Sequence, residues 1–264
     1  MPKTPITYYG GKLNMLKHIL PNIPEHTIYT ESFFGGGAVF FAKEPSESEI
    51  INDANAMVVN FFEVCTTDFE SLRMKIEATL FSRATYSVAY AMYRMPHLFD
   101  KIQQAWAFYV ATNMGFGCRI GSWGFDKYGK RLKAFQNKKM LFDGTIFKRL
   151  LQAQIEHNDA CKIIETYDTK DTFHYVDPPY INTNQGHYQG YSEADYKRLL
   201  TILSLVKGKF LLSSFPSEIL DSFIKKFGWH TLEFSKPLTA NKATLGKART
   251  SRKTEVLTAN YPLI

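Results

Sequence analysis

The residues best equipped for chemistry in this chain are Asp177-Pro178-Pro179-Tyr180. The exocyclic amine of a nucleobase is a poor nucleophile because its lone pair is delocalised into the ring. Two acceptors that take its two hydrogens push the nitrogen toward sp³ and aim the lone pair outward. The Asp177 carboxylate and the main-chain carbonyl of Pro178 suit that task, since consecutive prolines hold the backbone stiffly. Tyr180 adds a flat face on which an extruded base can stack. The plainer alternative is a strand-ending turn that carries an acid.

Such a corner must be held by a strand, and Thr172-Phe173-His174-Tyr175-Val176 is aromatic and β-branched as a buried strand should be. The prolines end it and point Asp177 and Tyr180 off the C-terminal edge of a sheet, where open α/β folds hold their ligands. The stretch from Ile28 to Phe41 reads as a short strand running into the glycine turn Phe33-x-Gly35-x-Gly37 and then an apolar helix. Glycines there let backbone approach a ligand at a helix N-terminus, or simply close a turn. The dinucleotide fingerprint is not met, because Phe40 stands in the third glycine's place. Ile50-Ile51-Asn52-Asp53 is a second strand ending in an acid, either a ribose ligand or the N-cap of a helix over 56–64. Ahead of them all, Tyr8-Tyr9-Gly10-Gly11-Lys12 is a tight turn whose lysine can meet an anion or merely lead the amphipathic segment 13–19.

With Tyr180 attached to Asp-Pro-Pro, the chain resembles the amino-methylating DNA methyltransferases. The aromatic-x-Gly-Gly-Lys start, Phe33-x-Gly35-x-Gly37, Asn52-Asp53-x-Asn55 and the 177–180 corner, in that order, resemble the Dam-like DNA adenine-N6 methyltransferases (D12 class, alpha group). That resemblance implies a Rossmann-like α/β sheet that binds S-adenosyl-L-methionine, with helices on both faces and a reversed pair of strands at the end. It further implies an inserted, mainly helical target-recognition domain carrying a β-hairpin, over 66–154, between catalytic segments 1–65 and 155–264. Tyr8, Gly11, Lys12, Glu31, Phe33, Gly35, Gly37 and Asp53 would surround the cofactor, with Lys12 at its border with the target base. Asp159 stands where the family places an adenine-contacting acid, and an N-cap for a helix over 161–166 fits it equally.

Between the halves, helical stretches over 71–80 and 101–110 lead into Asn113-Met114-Gly115-Phe116-Gly117-Cys118-Arg119 and then Gly121–Gly129. Closely spaced glycines with aromatics between them suggest a hairpin. Arg119, Lys127, Lys130, Arg131, Lys133, Lys138 and Lys139 face a single acid, Asp126, which is either a solvated surface or a phosphate-contacting one. Asn113, Arg119, Lys127, Lys130 and Arg131 are the DNA ligands that the resemblance suggests. The pattern of the family's GATC-reading members is met only in part, so the recognised sequence stays open.

Past the corner, polar residues between Tyr180 and Tyr191 suggest a loop that closes on a flipped base, in which His187 reads as a base or, more plainly, as an ordinary solvent-facing side chain. Ser192-x-x-Asp195 resembles a capping box opening a helix to 205, and Lys209–Phe215 reads as a strand before a helix begun at Pro216. Trp229–Phe234 and Thr254–Thr258 suggest an antiparallel pair. The stretch between them holds Lys236, Lys242, Lys247, Arg249, Arg252 and Lys253 and no acid, which suits phosphate contact and disorder without DNA.

The formal charge of +7 favours a polyanionic partner, here double-stranded DNA. Cys65, Cys118 and Cys161 are odd in number and widely spaced, which suits reduced, structural thiols in a cytosolic protein; the resemblance implies the cytoplasm of a bacterial or phage-infected cell. No His/Cys spacing suggests a metal, and no apolar run suggests a membrane span or signal peptide. A monomer is expected. The expected reaction is in-line methyl transfer from S-adenosyl-L-methionine to N6 of a flipped adenine. Cytosine-N4 methylation, a dinucleotide-dependent oxidoreductase and a non-catalytic DNA-binding relative are the alternatives.

Overall fold

The computed structural model describes residues 4–181, 190–237 and 252–264. After α1 (Leu16–Ile19), strand β1 (Ile28–Glu31) enters the glycine turn, and β2 (Ser48–Asn52) leads into α2 (Ala56–Thr67). Helices α3 (Phe69–Glu77), α4 (Arg83–Arg94), α5 (Lys101–Met114), α6 (Lys130–Leu141) and α7 (Gly144–Leu150) follow before β3 (Ala153–Glu156). The chain then runs through α8 (Ala160–Tyr167), β4 (Thr172–Val176), α9 (Glu193–Leu203), β5 (Lys209–Ser214), α10 (Glu218–Phe227), β6 (His230–Pro237) and β7 (Arg252–Ala259).

Among the described residues these strands form one seven-stranded sheet in the order β3-β2-β1-β4-β5-β7-β6. The pairs from β3 to β5 are parallel, and β7 runs antiparallel between β5 and β6. Only β7 is reversed within the sheet, so the expected terminal pair is there with one strand of it aligned with the rest. Side chains alternate across the sheet. Tyr29, Tyr175, Leu211 and Leu257 pack into one hydrophobic cluster, while Val176, Leu212 and Val256 pack into the other against α8 and α9. Their neighbours two residues along, Glu31, Ser213 and Glu255, therefore share the first face. Because β7 is reversed, Glu255 near its start meets the same edge as the ends of β1, β4 and β5.

Two expectations fail locally. No apolar helix follows the glycine turn, and residues 34–43 make successive tight turns instead. The Phe40 amide, which a helix would give to a backbone carbonyl, donates to Glu31 Oε2 at 3.1 Å. The rings of Phe34, Phe40 and Phe41 pack against one another, with centroids 5.1 to 6.3 Å apart. The β-hairpin of the insertion is likewise reduced to one antiparallel bridge, Gly115 to Trp123, around a 3₁₀ turn over Phe116–Cys118. Side chains have taken the backbone groups that a ladder would use. Arg131 Nη2 donates to the carbonyls of Met114 and Gly115 at 2.7 and 2.8 Å, and the Gly121 amide donates to the Tyr86 hydroxyl at 2.9 Å.

The helices between β2 and β3 do not carry a core of their own. Phe108, Tyr109, Phe135 and Phe142 belong to the same buried cluster as Phe34, Phe61 and Tyr175. The Ser192/Asp195 capping box forms as read, whereas α10 starts after an N-cap at Ser217.

Candidate active site

The C-terminal edge of β1 and β4 opens onto a cavity of about 400 Å³, within the range of small-molecule sites. Tyr8, Gly11, Lys12, Glu31, Phe33, Gly35, Gly37 and the whole Asp177-Pro178-Pro179-Tyr180 corner line it. Residues separated by more than 160 positions thus share one wall.

Lys12 and Asp177 meet directly. Lys12 Nζ lies 2.6 Å from both carboxylate oxygens and also donates to the Gly10 carbonyl at 3.1 Å. Burial pushes the Asp177 carboxyl above the usual carboxylate range, and Lys12 offsets this only in part. Burial alone would lower Lys12, but Asp177, with Tyr175 and Glu255 behind it, holds its ammonium above the ordinary value. Lys12 Nζ also sits 4.9 Å above the Tyr180 ring. The Tyr180 hydroxyl bonds to Glu255 Oε1 at 3.0 Å and Ser213 Oγ at 3.2 Å, and its ring touches Phe215 at 4.2 Å.

Glu31 ends β1 with 3 % exposure and accepts from the Tyr29 hydroxyl at 2.7 Å. Burial raises its pKa to about 8, although the Tyr29 hydrogen bond opposes the rise. In the glycine turn, Gly35 and Gly37 adopt φ of +50° and +66°, a region that favours glycine. A Cβ at Gly35 would lie 2.8 Å from the Tyr8 ring, and one at Gly37 would lie 2.5 Å from the Phe34 ring. The glycines thus admit the protein's own aromatics, and the cavity wall follows from that packing.

Four expected ligands are engaged elsewhere. Asp53 is 1 % exposed and lies outside the cavity lining, with Oδ2 on the Gly35 amide at 2.7 Å and Oδ1 on the Asn55 amide at 2.8 Å. It braces the glycine turn, and Asn55, not Asp53, is the N-cap of α2. Asp159 caps α8 and pairs with Arg198 at 2.9 Å, away from the cavity, so the capping alternative holds. Asn113 Oδ1 accepts from the amide and hydroxyl of Thr7, both at 2.9 Å, which fastens α5 to the segment carrying Tyr8. Arg131 is committed to the backbone of the 114–115 turn. From the same basic run, Lys138 donates to the Thr4 carbonyl at 2.7 Å and Lys139 to the Thr79 carbonyl at 3.0 Å.

Arg119, Lys127, Lys130 and Lys133 remain exposed beside exposed Phe116, Phe125 and Tyr128. The Arg119 guanidinium lies 5.6 Å above the ring of Tyr9, a residue of the cavity rim, so the basic surface reaches the cavity mouth. Lys242, Lys247, Arg249 and the Arg252 side chain lie outside the described residues.

Several site residues went unread in the sequence. Glu255, Ser213, Phe215 and Tyr175 belong to no motif. The available signal for Glu255 was a lone charge inside the otherwise apolar and threonine-bearing run Thr254–Thr258. Tyr175 lines the cavity at 1 % exposure, and its hydroxyl has no hydrogen-bond partner among the described residues. An orphaned hydroxyl together with two lining carboxylates, Glu31 and Asp177, against one lysine fits a polar, positively charged occupant such as S-adenosylmethionine.

Residues 8–236 match the family described as D12 class N6 adenine-specific DNA methyltransferase. The Type II methyltransferase M1.LlaDCHI of Lactococcus lactis subsp. cremoris is 25% identical over 277 residues, covering 96% of this chain and 93% of that protein. The Type II methyltransferase M.CviBI of Paramecium bursaria Chlorella virus NC1A is 24% identical, covering 83% of this chain and 86% of its own. Among solved structures, the rRNA methyltransferase aviRa of Streptomyces viridochromogenes aligns over 93% of this chain and 82% of its own, with 11% identity and a TM-score of 0.34. So low a score carries no argument.

Proposed function

Because the chain belongs to the D12 class of N6-adenine-specific DNA methyltransferases, we propose the following roles for its residues. The protein is a site-specific methyltransferase that uses S-adenosylmethionine to modify adenine N6 in DNA. The cofactor supplies an electrophilic methyl group. Asp177 and the Pro178 carbonyl accept the two amine hydrogens and orient the N6 lone pair. As N6 gains positive charge, the Asp177 carboxylate stabilises it in surroundings of low polarity, where such an interaction is strong. Tyr180 stacks on the extruded base, whose flipping costs about a few kcal/mol.

Tyr8, Phe33 and the glycine turn enclose the cofactor, and Glu31 faces its cationic end. Asp53 acts one step removed, by holding Gly35. The helical segment 66–154 is the target-recognition region, with Arg119, Lys127 and Lys130 on phosphates. Lys242, Lys247, Arg249 and Arg252 extend that surface. The protein works as a monomer in the cytoplasm of a bacterial or phage-infected cell. The observation that carries this reading is one cavity lined by both the glycine turn and the Asp177–Tyr180 corner.

Incubation with S-adenosylmethionine and plasmid DNA, followed by nucleoside analysis, is expected to yield N6-methyladenine. N4-methylcytosine as the product would overturn the assignment of the base. Asp177→Ala is expected to yield no modified base while still retaining DNA. Joint replacement of Arg119, Lys127 and Lys130 by alanine should lower the salt slope of DNA binding by about 2–3 units.

A further inference from the structure

Lys12 bridges both oxygens of Asp177, and that pairing opposes the role just given to the carboxylate. An ammonium 2.6 Å away neutralises Asp177, and its own charge repels a cation developing at an adjacent amine. Lys12 must therefore shift before methyl transfer, and a buried ammonium needs another acceptor to shift toward. Glu255 provides one. Its Oε1 lies 3.7 Å from Lys12 Nζ, just beyond hydrogen-bond distance, on the same face and edge of the sheet.

That oxygen is already oriented, by the Tyr180 hydroxyl at 3.0 Å and by Ser213 Oγ at 3.4 Å. Glu255 is 9 % exposed and comes from β7, so the reversed strand brings it to the catalytic corner. A buried acid with two oriented donors and a lysine within reach differs from a residue that only fills space.

We infer that Glu255 is a positioning residue of the methyl transfer: it receives Lys12 when adenine enters, and so leaves Asp177 as a free carboxylate before the amine. This rests on the reading of Asp177 as the acceptor for N6. The hydroxyl of Tyr180 keeps Glu255 aimed, which couples the seating of the base platform to the release of Asp177. The charge of Glu255 is the working property, because an amide in its place still accepts from Tyr180 but attracts Lys12 far less.

Glu255→Gln tests this. Single-turnover methylation at saturating cofactor and DNA is expected to fall about tenfold or more, with both dissociation constants within about threefold of wild type and a similar thermal midpoint. A rate within about twofold of wild type, or binding lost in proportion to rate, would overturn the inference. A second measurement needs no variant: a crystal of the wild-type protein with sinefungin and a duplex carrying its unmethylated target adenine. Lys12 Nζ hydrogen-bonded to Glu255 and off Asp177 is the expected geometry, and Lys12 still bridging Asp177 overturns it. Formation of N6-methyladenine by the wild type checks the underlying reading separately, so a loss confined to the variant concerns Glu255 alone.

Discussion

Two lysines are buried against carboxylates at opposite edges of the same sheet, and their surroundings give them different work. Lys43 pairs with Glu49 at the start of β2, while Lys12 pairs with Asp177 past the end of β4. Glu49 has no side-chain exposure and is gripped a second time by Arg149, whose Nη2 lies 2.8 Å from Oε1 and 3.1 Å from the Phe40 carbonyl. The Arg149 guanidinium also lies 3.7 Å over the Phe40 ring. Burial alone would raise Glu49, yet the hydrogen bonds from Arg149 and Lys43 outweigh it and hold the group below the usual range. Asp177 keeps 18% side-chain exposure toward the cavity and is held above that range. A buried pair whose acceptor is enclosed and doubly gripped locks the fold, whereas one that faces space beside a second acceptor can trade partners.

The sharpest way to break this contrast is Glu49→Ala, which leaves two buried cations without their acid. It is expected to lower stability by about 3–5 kcal/mol in urea titration, with the rate per folded molecule little changed. Lys12→Met should do the reverse. With the ammonium gone, burial favours a protonated Asp177 that no longer accepts both amine hydrogens. Loss of turnover of about a hundredfold, or ~2.7 kcal/mol, is expected in single-turnover assays, with only a small shift of the urea midpoint because the neutral carboxyl is tolerated.

Next in size is Glu31. It is neutral below its pKa of about 8, and a cationic cofactor favours the ionised form. Cofactor affinity should therefore rise about tenfold as pH climbs through that value, because binding releases the proton more easily at higher pH. Glu31→Gln should flatten the titration, as isothermal calorimetry across pH can show. The smallest effect expected is for Arg149→Lys, which keeps the charge but loses the planar two-point grip and the stacking on Phe40. About 1 kcal/mol of stability should be lost, with turnover unchanged.

The strands were readable because burial and alternation are local. Thr172–Val176 is fully buried as its composition implies, and the terminal antiparallel pair lies where its pattern placed it. The contacts that were not readable share a cause of another kind. The 113–129 stretch has the glycines of a hairpin, but Arg131 and the Tyr86 hydroxyl take its backbone groups, and Tyr86 comes from a helix 35 residues upstream. Asn113 resembles a DNA ligand by its place in the motif, yet its partner is Thr7, 106 residues away. Of the seven basic residues in that run, Arg131, Lys138 and Lys139 serve as internal straps, and composition gives no sign of which ones do.

The amino-acid sequence by itself determined the proline-stiffened corner at 177–180, the glycine turn at 33–37, the parallel strands that carry them and the family whose motifs they share. These depend on backbone restriction and on side-chain alternation, both of which act over a few residues. Only the tertiary structure decided that Asp53 supports the turn from behind, that Lys12 rests on Asp177, and that Glu255 waits beside them. Such pairings depend on where distant segments of chain come to lie, and a donor's choice of acceptor is made across space after the sheet has closed.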